Sequence, residues 1–251
     1  MSQLFSTLPR SLKIGVLRGG LPPENDLSVK SGAHVLRVLG ETHSPLDIFI
    51  SKDGVWHVQG VERSPERILK NVDVVWNSLH GNFGEDGGVQ EILQHHGVKF
   101  TGSNRYSSAI AQNKFLTKEH LLPFNIKTPG YKLVKKSDSV LQKAKDIWNS
   151  MIYPFVLKPN KGGSAFGFTV VENFDDLSGV LEYLLQGHES VLVEEFIPGT
   201  SVSCLVTENF RGQDLYAFPT STQINRSDAE VVEEEEKKVH DILNLSHYSQ
   251  S

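Results

Sequence analysis

The stretch Leu79-His80-Gly81-Asn82-Phe83-Gly84-Glu85-Asp86-Gly87-Gly88-Val89-Gln90 decides how the rest of this chain is interpreted. It follows the apolar run Val74-Val75-Trp76 and precedes apolar residues at helical spacing, which predicts a strand, a glycine-rich loop and a helix. The glycines permit sharp turns and a close approach of a ligand. Glu85 and Asp86 are expected in the first helical turn, where the helix dipole favours acids. A glycine-rich turn that binds nothing is the open alternative.

A second loop is expected beside this one. The first strand, Lys13 to Leu17, breaks at Gly19-Gly20 and is followed by Glu24. A helix at 27–39 and strands at 46–50 and 72–78 come next, and this alternation predicts a parallel sheet with right-handed crossovers. Ligands of open α/β sheets bind at the carboxyl ends of the strands. Glu24 and His80 are expected at that same edge, which favours a ligand site.

Composition restricts the classes of function. A chain of 251 residues is expected to form two or three subdomains. Its net charge of −5 gives no basic footprint for nucleic acid, and no apolar run is long enough to span a membrane. The single cysteine, Cys204, cannot form an internal disulfide, which fits a cytoplasmic protein. Cys204 lies in the apparent strand 202–206, so we expect a buried, unreactive side chain.

The second half predicts a small α+β module. A buried strand at 154–159 leads into a glycine-rich hairpin at 160–167 and a partner strand at 168–171. An amphipathic helix at 137–150 should turn Val140, Leu141, Ala144, Ile147 and Trp148 inward, and Asn173 should cap a second helix. A capping box at 227–230 predicts a last helix to Leu245, and the acid run 233–236 within it fits a solvated face better than a metal site.

Three segments of this half are candidates for nucleotide binding. Lys158 ends a buried strand, where its ammonium and the N–H groups of Gly162, Gly163 and Ser164 suit phosphate. A lysine that merely extends to solvent is the alternative. Lys114 is a second candidate cation. The run Glu194-Glu195-Phe196-Ile197 could bind an adenine between polar and apolar groups, or could be a plain strand end.

Taken together, these segments resemble the ATP-grasp enzymes, and specifically the D-alanine–D-alanine ligase family. The order and spacing match over nearly the whole chain, and the His-Gly-x-x-Gly-Glu-Asp-Gly loop is the most specific part. The residues that carry the resemblance are Gly19, Gly20, Glu24 and Ser28; Leu79 through Gly81, Gly84 through Gly87 and Gln90; Thr101 through Ser103; Asn113 and Lys114; Lys158, Pro159, Gly163, Ser164 and Gly167; and Glu194 through Gly199.

The resemblance implies a role for each matching position. Glu24 would hold the amino group of the first D-alanine, and Ser28 and His80 would belong to the same pocket. The implied ATP-binding residues are Lys114, Lys158, Gly163, Ser164, Glu194, Glu195, Phe196 and Ile197. Ser164 would lie in a flap over the γ-phosphate, so Glu24 and Ser164 are the implied catalytic residues.

The implied reaction activates a carboxylate. One D-alanine is phosphorylated by ATP to an acylphosphate, the amine of a second D-alanine attacks, and phosphate leaves, with Mg²⁺ (or Mn²⁺) spreading the charge. The product, D-alanyl-D-alanine, serves peptidoglycan synthesis. The implied partners are D-alanine and ATP, with no nucleic acid and no membrane, and a homodimer is left open.

The match departs from the family in several places. The family has Ser or Thr in the place of Pro22-Pro23 and a second flap Ser or Thr in the place of Ala165. It has a ribose-binding Glu in the place of Ser201. The resemblance implies that the loop covering the substrate is shortened to 220–228. The family's metal ligands and second-substrate arginine lie beyond the last residue, so the resemblance implies a C-terminally truncated member. We therefore predict no metal residues.

The sequence thus predicts an α/β protein of ATP-grasp type in three parts. These are an N-terminal Rossmann-like parallel-sheet domain at 1–105, a central flap subdomain at 106–193 and an incomplete C-terminal ATP-grasp subdomain at 194–251. An ATP-dependent acid–D-amino-acid ligase is the leading hypothesis. The alternatives are a non-catalytic nucleotide- or amino-acid-binding remnant of that fold, and a ligase joining D-alanine to D-lactate or D-serine.

Overall fold

A computed structural model describes residues 12–162 and 168–222 of the chain. Gly163, Ser164, the helix predicted to end at Leu245 and the acid run 233–236 lie outside the described residues. The described chain divides into two compact units: residues 12–126 with Lys161 and Gly162, and residues 127–160 with 168–222. The division falls after Ile126, whereas the sequence placed a boundary after residue 105.

The first unit is an α/β layer structure whose elements follow one another in a fixed order. They are β1 (Lys13–Gly19), α1 (Asn25–Leu39), β2 (Ser44–Ile50), β3 (Trp56–Val58), β4 (Val61–Glu62), α2 (Pro65–Leu69), β5 (Val74–Asn77), α3 (Gly88–His95), β6 (Lys99–Phe100), α4 (Arg105–Ala111), α5 (Lys114–Leu121) and a 3₁₀ turn (Leu122–Phe124).

Its sheet has the order β4-β3-β2-β1-β5-β6, and strands β2, β1, β5 and β6 are parallel. The chain leaves β1 toward β2 on one side and later returns to β5 on the other side. This reversal is a topological switch point, the place where the loops after two neighbouring strands diverge and leave a crevice. The loops after β1 and β5 flank it, as the sequence predicted for Glu24 and His80.

The predicted strands are parallel, and the structure adds two strands at one edge that the sequence analysis did not predict. Strands β3 and β4 run antiparallel to their neighbours and extend the sheet beyond β2. The physical reason is a tight turn at 51–55, where Gly54 has a φ of +85° and the Ser51 N–H donates to the Val55 carbonyl. That turn sends the chain straight back along β2, so no crossover helix forms.

A close helix–sheet contact holds α1 against β1. At Gly32 of α1, an added Cβ would lie 2.5 Å from the Cβ of Arg18 in β1. The Arg18 guanidinium makes two hydrogen bonds of 2.6 Å to Asp47 of β2, and these bonds raise the pKa of Arg18 above its ordinary value. The side chains of Leu17, Ile48 and their neighbours form the buried core of this unit.

The second unit contains all the remaining described elements. They are β7 (Tyr131–Lys135), α6 (Val140–Ser150), β8 (Phe155–Pro159), β9 (Thr169–Val171), α7 (Phe174–Gly187), β10 (Ser190–Glu195), β11 (Val202–Ser203), β12 (Val206–Phe210), β13 (Gln213–Ala217) and β14 (Ser221–Thr222).

Its main sheet has the order β7-β10-β8-β9, with every pair antiparallel. The residues of α7 at helical spacing, among them Leu177, Leu181 and Leu184, are buried against it, and the Asn173 side chain caps α7 as predicted. Leu141 of α6 was expected to face inward but is 51% exposed, because the buried stripe of that helix runs through Ala144 and Ile147.

The prediction for Cys204 was also wrong. Its side chain is exposed and follows the two-residue strand β11, which pairs only with β14 among the described strands. The chain turns out of β11 after Ser203 to begin the β12–β13 hairpin, so the apolar run 202–206 is split between two small sheets. None of the helices in the described ranges is long and apolar enough to cross a membrane.

We predict that Gly32→Ala destabilises the protein, because the new methyl group must displace the Arg18 stem in a close-packed contact. Overpacking of this kind costs about 1–3 kcal/mol, which outweighs the gain of about 0.5–1 kcal/mol expected when alanine replaces a helical glycine. Gly187→Ala at the end of α7 is the control, because nothing lies within 4 Å of its added Cβ. Urea unfolding should show a lower midpoint for the first variant only; equal midpoints would refute the proposed contact.

Candidate functional site

Two loops of the first unit meet at the switch point. Glu24 precedes α1, which begins two residues earlier than predicted because the Asn25 side chain donates a 2.6 Å hydrogen bond to the Gly20 carbonyl. Gly81, in the loop after β5, lies directly against the Glu24 carboxylate. An added Cβ at Gly81 would overlap that carboxylate, and the φ of Gly81 is +64°. The sequence prediction that Glu24 and the His80 loop converge is confirmed.

The Glu24 carboxylate has an unmet hydrogen-bonding requirement. Its Oε2 is buried and has no hydrogen-bond partner among residues 12–162 and 168–222. A buried acceptor without a donor costs free energy, and more so when the group is charged. A ligand that brings a cationic N–H donor would remove this cost, so the arrangement favours an ammonium group.

The other two predicted substrate residues lie around the same loop. Ser28, in the first turn of α1, is fully buried and donates a 2.9 Å hydrogen bond to the Ser78 carbonyl. The His80 ring lies between α1 and the loop, with Nδ1 3.4 Å from Glu85 Oε1 and Nε2 3.2 Å from Ser31 Oγ. The structure therefore brings Glu24, Ser28 and His80 into one region of the first unit.

The loop itself is held by bonds to its carbonyl groups. The Gly84 carbonyl accepts from the Asn77 and Gln90 side chains at 2.9 and 2.8 Å, and Gln90 is buried. A cavity of about 460 Å³ lies beside the loop, lined by residues that include His80, Glu85 and Gln90. The resemblance included Gln90 but implied no role for it. The structure indicates that Gln90 holds the loop through the Gly84 carbonyl.

The acids of the loop are placed differently from the prediction. Helix α3 begins at Gly88, so Glu85 and Asp86 precede it instead of forming its first turn. Gly87 has a φ of +97°, which ends the loop in a conformation that favours glycine. Asp86 accepts from the Gly88 N–H at 2.9 Å, whereas Glu85 turns back and accepts from the Gly81 N–H at 2.9 Å.

Ser31 and Asn77 take part in this network and were missed by the sequence reasoning. Ser31 lies one helical turn after Ser28, so both face the loop after β5. The spacing of the two serines was the available signal. Asn77 ends β5, where its side chain accepts from the Leu79 N–H at 3.1 Å. No sequence pattern distinguished that asparagine from an ordinary strand end.

The second unit contains the paired charges predicted for nucleotide binding. Lys158 of β8 lies diagonally across from Glu194 of β10, and its Nζ is 2.5 Å from Glu194 Oε2. Both side chains are largely buried, at 23% and 5% exposure. Lys158 is therefore held in place by an ion pair and does not simply extend to solvent.

The segment after β10 combines fixed polar groups with exposed apolar side chains. Glu195 accepts from the Gly130 N–H, and the Phe196 N–H donates to the Pro154 carbonyl, both at 3.0 Å. The Phe196 and Ile197 side chains are 40% and 62% exposed. Apolar side chains beside a strand end could cover the face of a planar ring.

Lys114 lies in the first unit, at the first residue of α5. Its Nζ donates a 2.9 Å hydrogen bond to the Gly162 carbonyl, and the neighbouring Asn113 forms a β-bridge with Lys161. These contacts attach the start of the predicted glycine hairpin to α5. In the part of the chain that the structure describes, no group of three or more His, Cys, Asp or Glu side chains could hold a metal ion.

Two family models match the chain. The model of the D-ala D-ala ligase C-terminus matches residues 121–244, and the model of the D-ala D-ala ligase N-terminus matches residues 59–103. Together they cover more than half of the sequence. The chain belongs to the D-alanine–D-alanine ligase family.

Curated members of the D-alanine–D-alanine ligase family are similar over most of this chain. The vancomycin/teicoplanin A-type resistance protein VanA of Enterococcus faecium is 30% identical, over 79% of this chain and 64% of VanA. A D-alanine–D-alanine ligase of Geobacter sulfurreducens is 33% identical, over 77% of this chain and 57% of that protein. The chain thus spans about three fifths of the length of these relatives.

A solved structure supports the ATP-grasp fold expected of this family. The D-alanine–D-alanine ligase of Coxiella burnetii matches with a TM-score of 0.72 at 21% identity, over 93% of this chain and 78% of that one. The predicted fold class, an α/β ATP-grasp protein with a Rossmann-like N-terminal sheet, is confirmed.

We predict that Gly81→Ala displaces the Glu24 carboxylate. Gly60→Ala is the matched control, because Gly60 also has a positive φ, +74°, but nothing lies within 4 Å of its added Cβ. Both variants should lose about 1–2 kcal/mol from the left-handed backbone. Gly81→Ala should lose about 0.5–1.5 kcal/mol more, because the Glu24 carboxylate must turn away from its present position. Urea unfolding measures the difference, and equal losses would contradict the close contact of Glu24 with Gly81.

Proposed function

We propose that this chain provides the amino-acid- and nucleotide-binding parts of an ATP-dependent ligase that joins two D-alanines for peptidoglycan synthesis. The observation that carries the proposal is the Glu24 carboxylate, whose buried Oε2 lacks a donor among the described residues at the sheet's switch point. The amino group of a first D-alanine supplies the missing donor and a compensating charge. Family membership supplies the identity of the amino acid.

The second unit supplies groups suited to ATP. Lys158 offers a positioned ammonium for phosphate oxygens, and its ion pair with Glu194 supports this role because it fixes the position of the cation. The segment Glu194–Ile197 provides polar groups and two exposed apolar side chains for the adenine. Lys114, Gly163 and Ser164 stay predictions for phosphate binding, and Ser164 stays a prediction for the catalytic flap.

In this proposal the residues of the chain bind and orient the substrates, and they take no covalent part in the reaction. A carboxylate is a poor electrophile, so ATP must activate the first D-alanine as an acylphosphate before the second amine can attack. Glu24 and the rigid loop around His80 fix the first amino acid, and fixing a reactant in this way removes part of the barrier. Mg²⁺, where bound, neutralises charge on the phosphates. The described residues do not present a ligand set for it.

The domain division is part of this proposal. We retain an N-terminal Rossmann-like domain at 1–105, a flap subdomain at 106–193 and a C-terminal subdomain at 194–251. Limited proteolysis with and without ATP tests the division, because protection confined to fragments from 106 onward supports it.

We predict that two substitutions separate the two binding functions. Glu24→Gln keeps the shape of the side chain but removes the charge opposite the ammonium, so D-alanine affinity should fall about 10- to 100-fold while ATP affinity is retained. Lys158→Ala should weaken ATP binding and leave the affinity for D-alanine unchanged. Calorimetric titration of each ligand measures both effects.

Two further variants serve as controls for this pair. Glu41→Gln and Lys145→Ala remove exposed charges outside these sites, and neither should alter affinity for D-alanine or ATP. Circular dichroism should show that all four variants remain folded. Loss of both ligands in Glu24→Gln, or of neither, would contradict the assignment of Glu24.

The ligase activity is tested by phosphate release from ATP with D-alanine and Mg²⁺. Release that depends on D-alanine supports the proposal. Binding of both ligands without release would show that this chain alone is a non-catalytic binding remnant. D-Lactate and D-serine, offered as second substrates, distinguish a D-alanine–D-alanine ligase from the other ligases considered.

A further inference from the structure

Ser31 completes a chain of three side chains through the His80 ring. Its Oγ lies 3.2 Å from His80 Nε2, and the opposite ring nitrogen, Nδ1, lies 3.4 Å from Glu85 Oε1. A carboxylate, an imidazole and a hydroxyl in this order are the groups that fix a histidine's orientation in many enzymes. None of the roles assigned above to Glu24, Ser28 and His80 accounts for Ser31.

The hydrogen atoms of this chain can be assigned from the partners. Glu85 Oε1 lies 3.4 Å from His80 Nδ1, and because an ionised carboxylate only accepts, this contact favours a hydrogen on Nδ1. In the neutral ring Nε2 is then an acceptor, and the Ser31 hydroxyl donates to it. The Ser31 hydroxyl has two further acceptors within reach, the Ser28 and Ser78 carbonyls at 3.3 and 3.4 Å, so the His80 tautomer decides which acceptor it bonds.

The position of the ring matters because the same loop carries Gly81. Glu85 accepts from the Gly81 N–H with one carboxylate oxygen and faces His80 with the other. Helix α1, which follows Glu24, carries Ser31 at its centre. The Ser31–His80–Glu85 chain therefore joins the helix that follows Glu24 to the loop on which the Glu24 carboxylate lies.

We propose that Ser31 is a positioning residue, which with Glu85 holds His80 as the Nδ1–H tautomer and keeps the loop after β5 in place against Glu24. The consequence for D-alanine rests on the proposed function, whereas the tautomer is inferred from the contacts of the His80 ring with Ser31 and Glu85. Ser31 does not touch the ligand in this proposal; it acts through His80 and the loop.

The first test reads the tautomer directly. In protein labelled with ¹⁵N-histidine, long-range ¹H–¹⁵N spectra above neutral pH should show His80 with a protonated Nδ1 and a bare Nε2. His80→Gln assigns the signal by its loss. In Ser31→Ala the ring loses the donor to Nε2, and the spectrum should shift toward a mixture with the Nε2–H form.

Two variants separate the hydroxyl from a general effect on folding. Ser31→Thr retains a hydroxyl at the same position and should restore the wild-type tautomer. Ser150→Ala removes a comparable bond, from Ser150 Oγ to the Asp146 carbonyl in α6, with no ring attached. It should leave the His80 spectrum unchanged. A wild-type ring in the Nε2–H form, or a Ser31→Ala spectrum identical to wild type, would overturn the proposal.

The second test measures D-alanine binding. Loss of one neutral hydrogen bond that positions the site should weaken binding about 3- to 10-fold in Ser31→Ala, with recovery in Ser31→Thr and unchanged ATP affinity. Unchanged D-alanine affinity in Ser31→Ala would overturn the positioning role. If the wild type binds no D-alanine at all, the proposed function fails, and the tautomer measurement still decides the Ser31–His80 bond.

Discussion

The contact between the Glu24 carboxylate and the Gly81 backbone is the constraint on which the site depends. The side chain of Glu24 occupies the space that a Cβ at position 81 would need, so any side chain there would force the carboxylate to move. The contact exists because β1 and β5 are neighbours whose connections leave on opposite sides. Sheet topology therefore brings the two loops together, and a single glycine lets them touch.

Two polar backbone groups of the loop around Gly81 have side-chain partners. Side chains from β5 and α3 bond the Gly84 carbonyl, and Glu85 bonds the Gly81 N–H. Backbone groups away from water need such partners, and a glycine-rich loop cannot take them from regular secondary structure. Asn77, Glu85 and Gln90 thus supply what a helix or strand would otherwise provide, and the loop keeps one conformation despite its glycines.

In the second unit, an ion pair fixes the position of a largely buried lysine side chain. Lys158 is largely buried, and removing a cation from water is costly. Glu194 meets Lys158 from the next strand, so the cation is compensated and its position is set by the register of β8 and β10. An antiparallel sheet gives such diagonal pairs a fixed separation, which a flexible loop would not.

The sequence by itself determined the main strands and helices on either side of the two loops, the convergence of Glu24 with His80, and, through its motifs, the family. These follow from local pattern and from the rule that parallel strands end at one edge. Tertiary structure decided the rest. The turn at Gly54 made β3 antiparallel, the split of the run 202–206 exposed Cys204, and the packing of α6 exposed Leu141. Ser31 contacts His80 only because the folded loop lies against α1, a contact between residues 49 positions apart that no local pattern encodes.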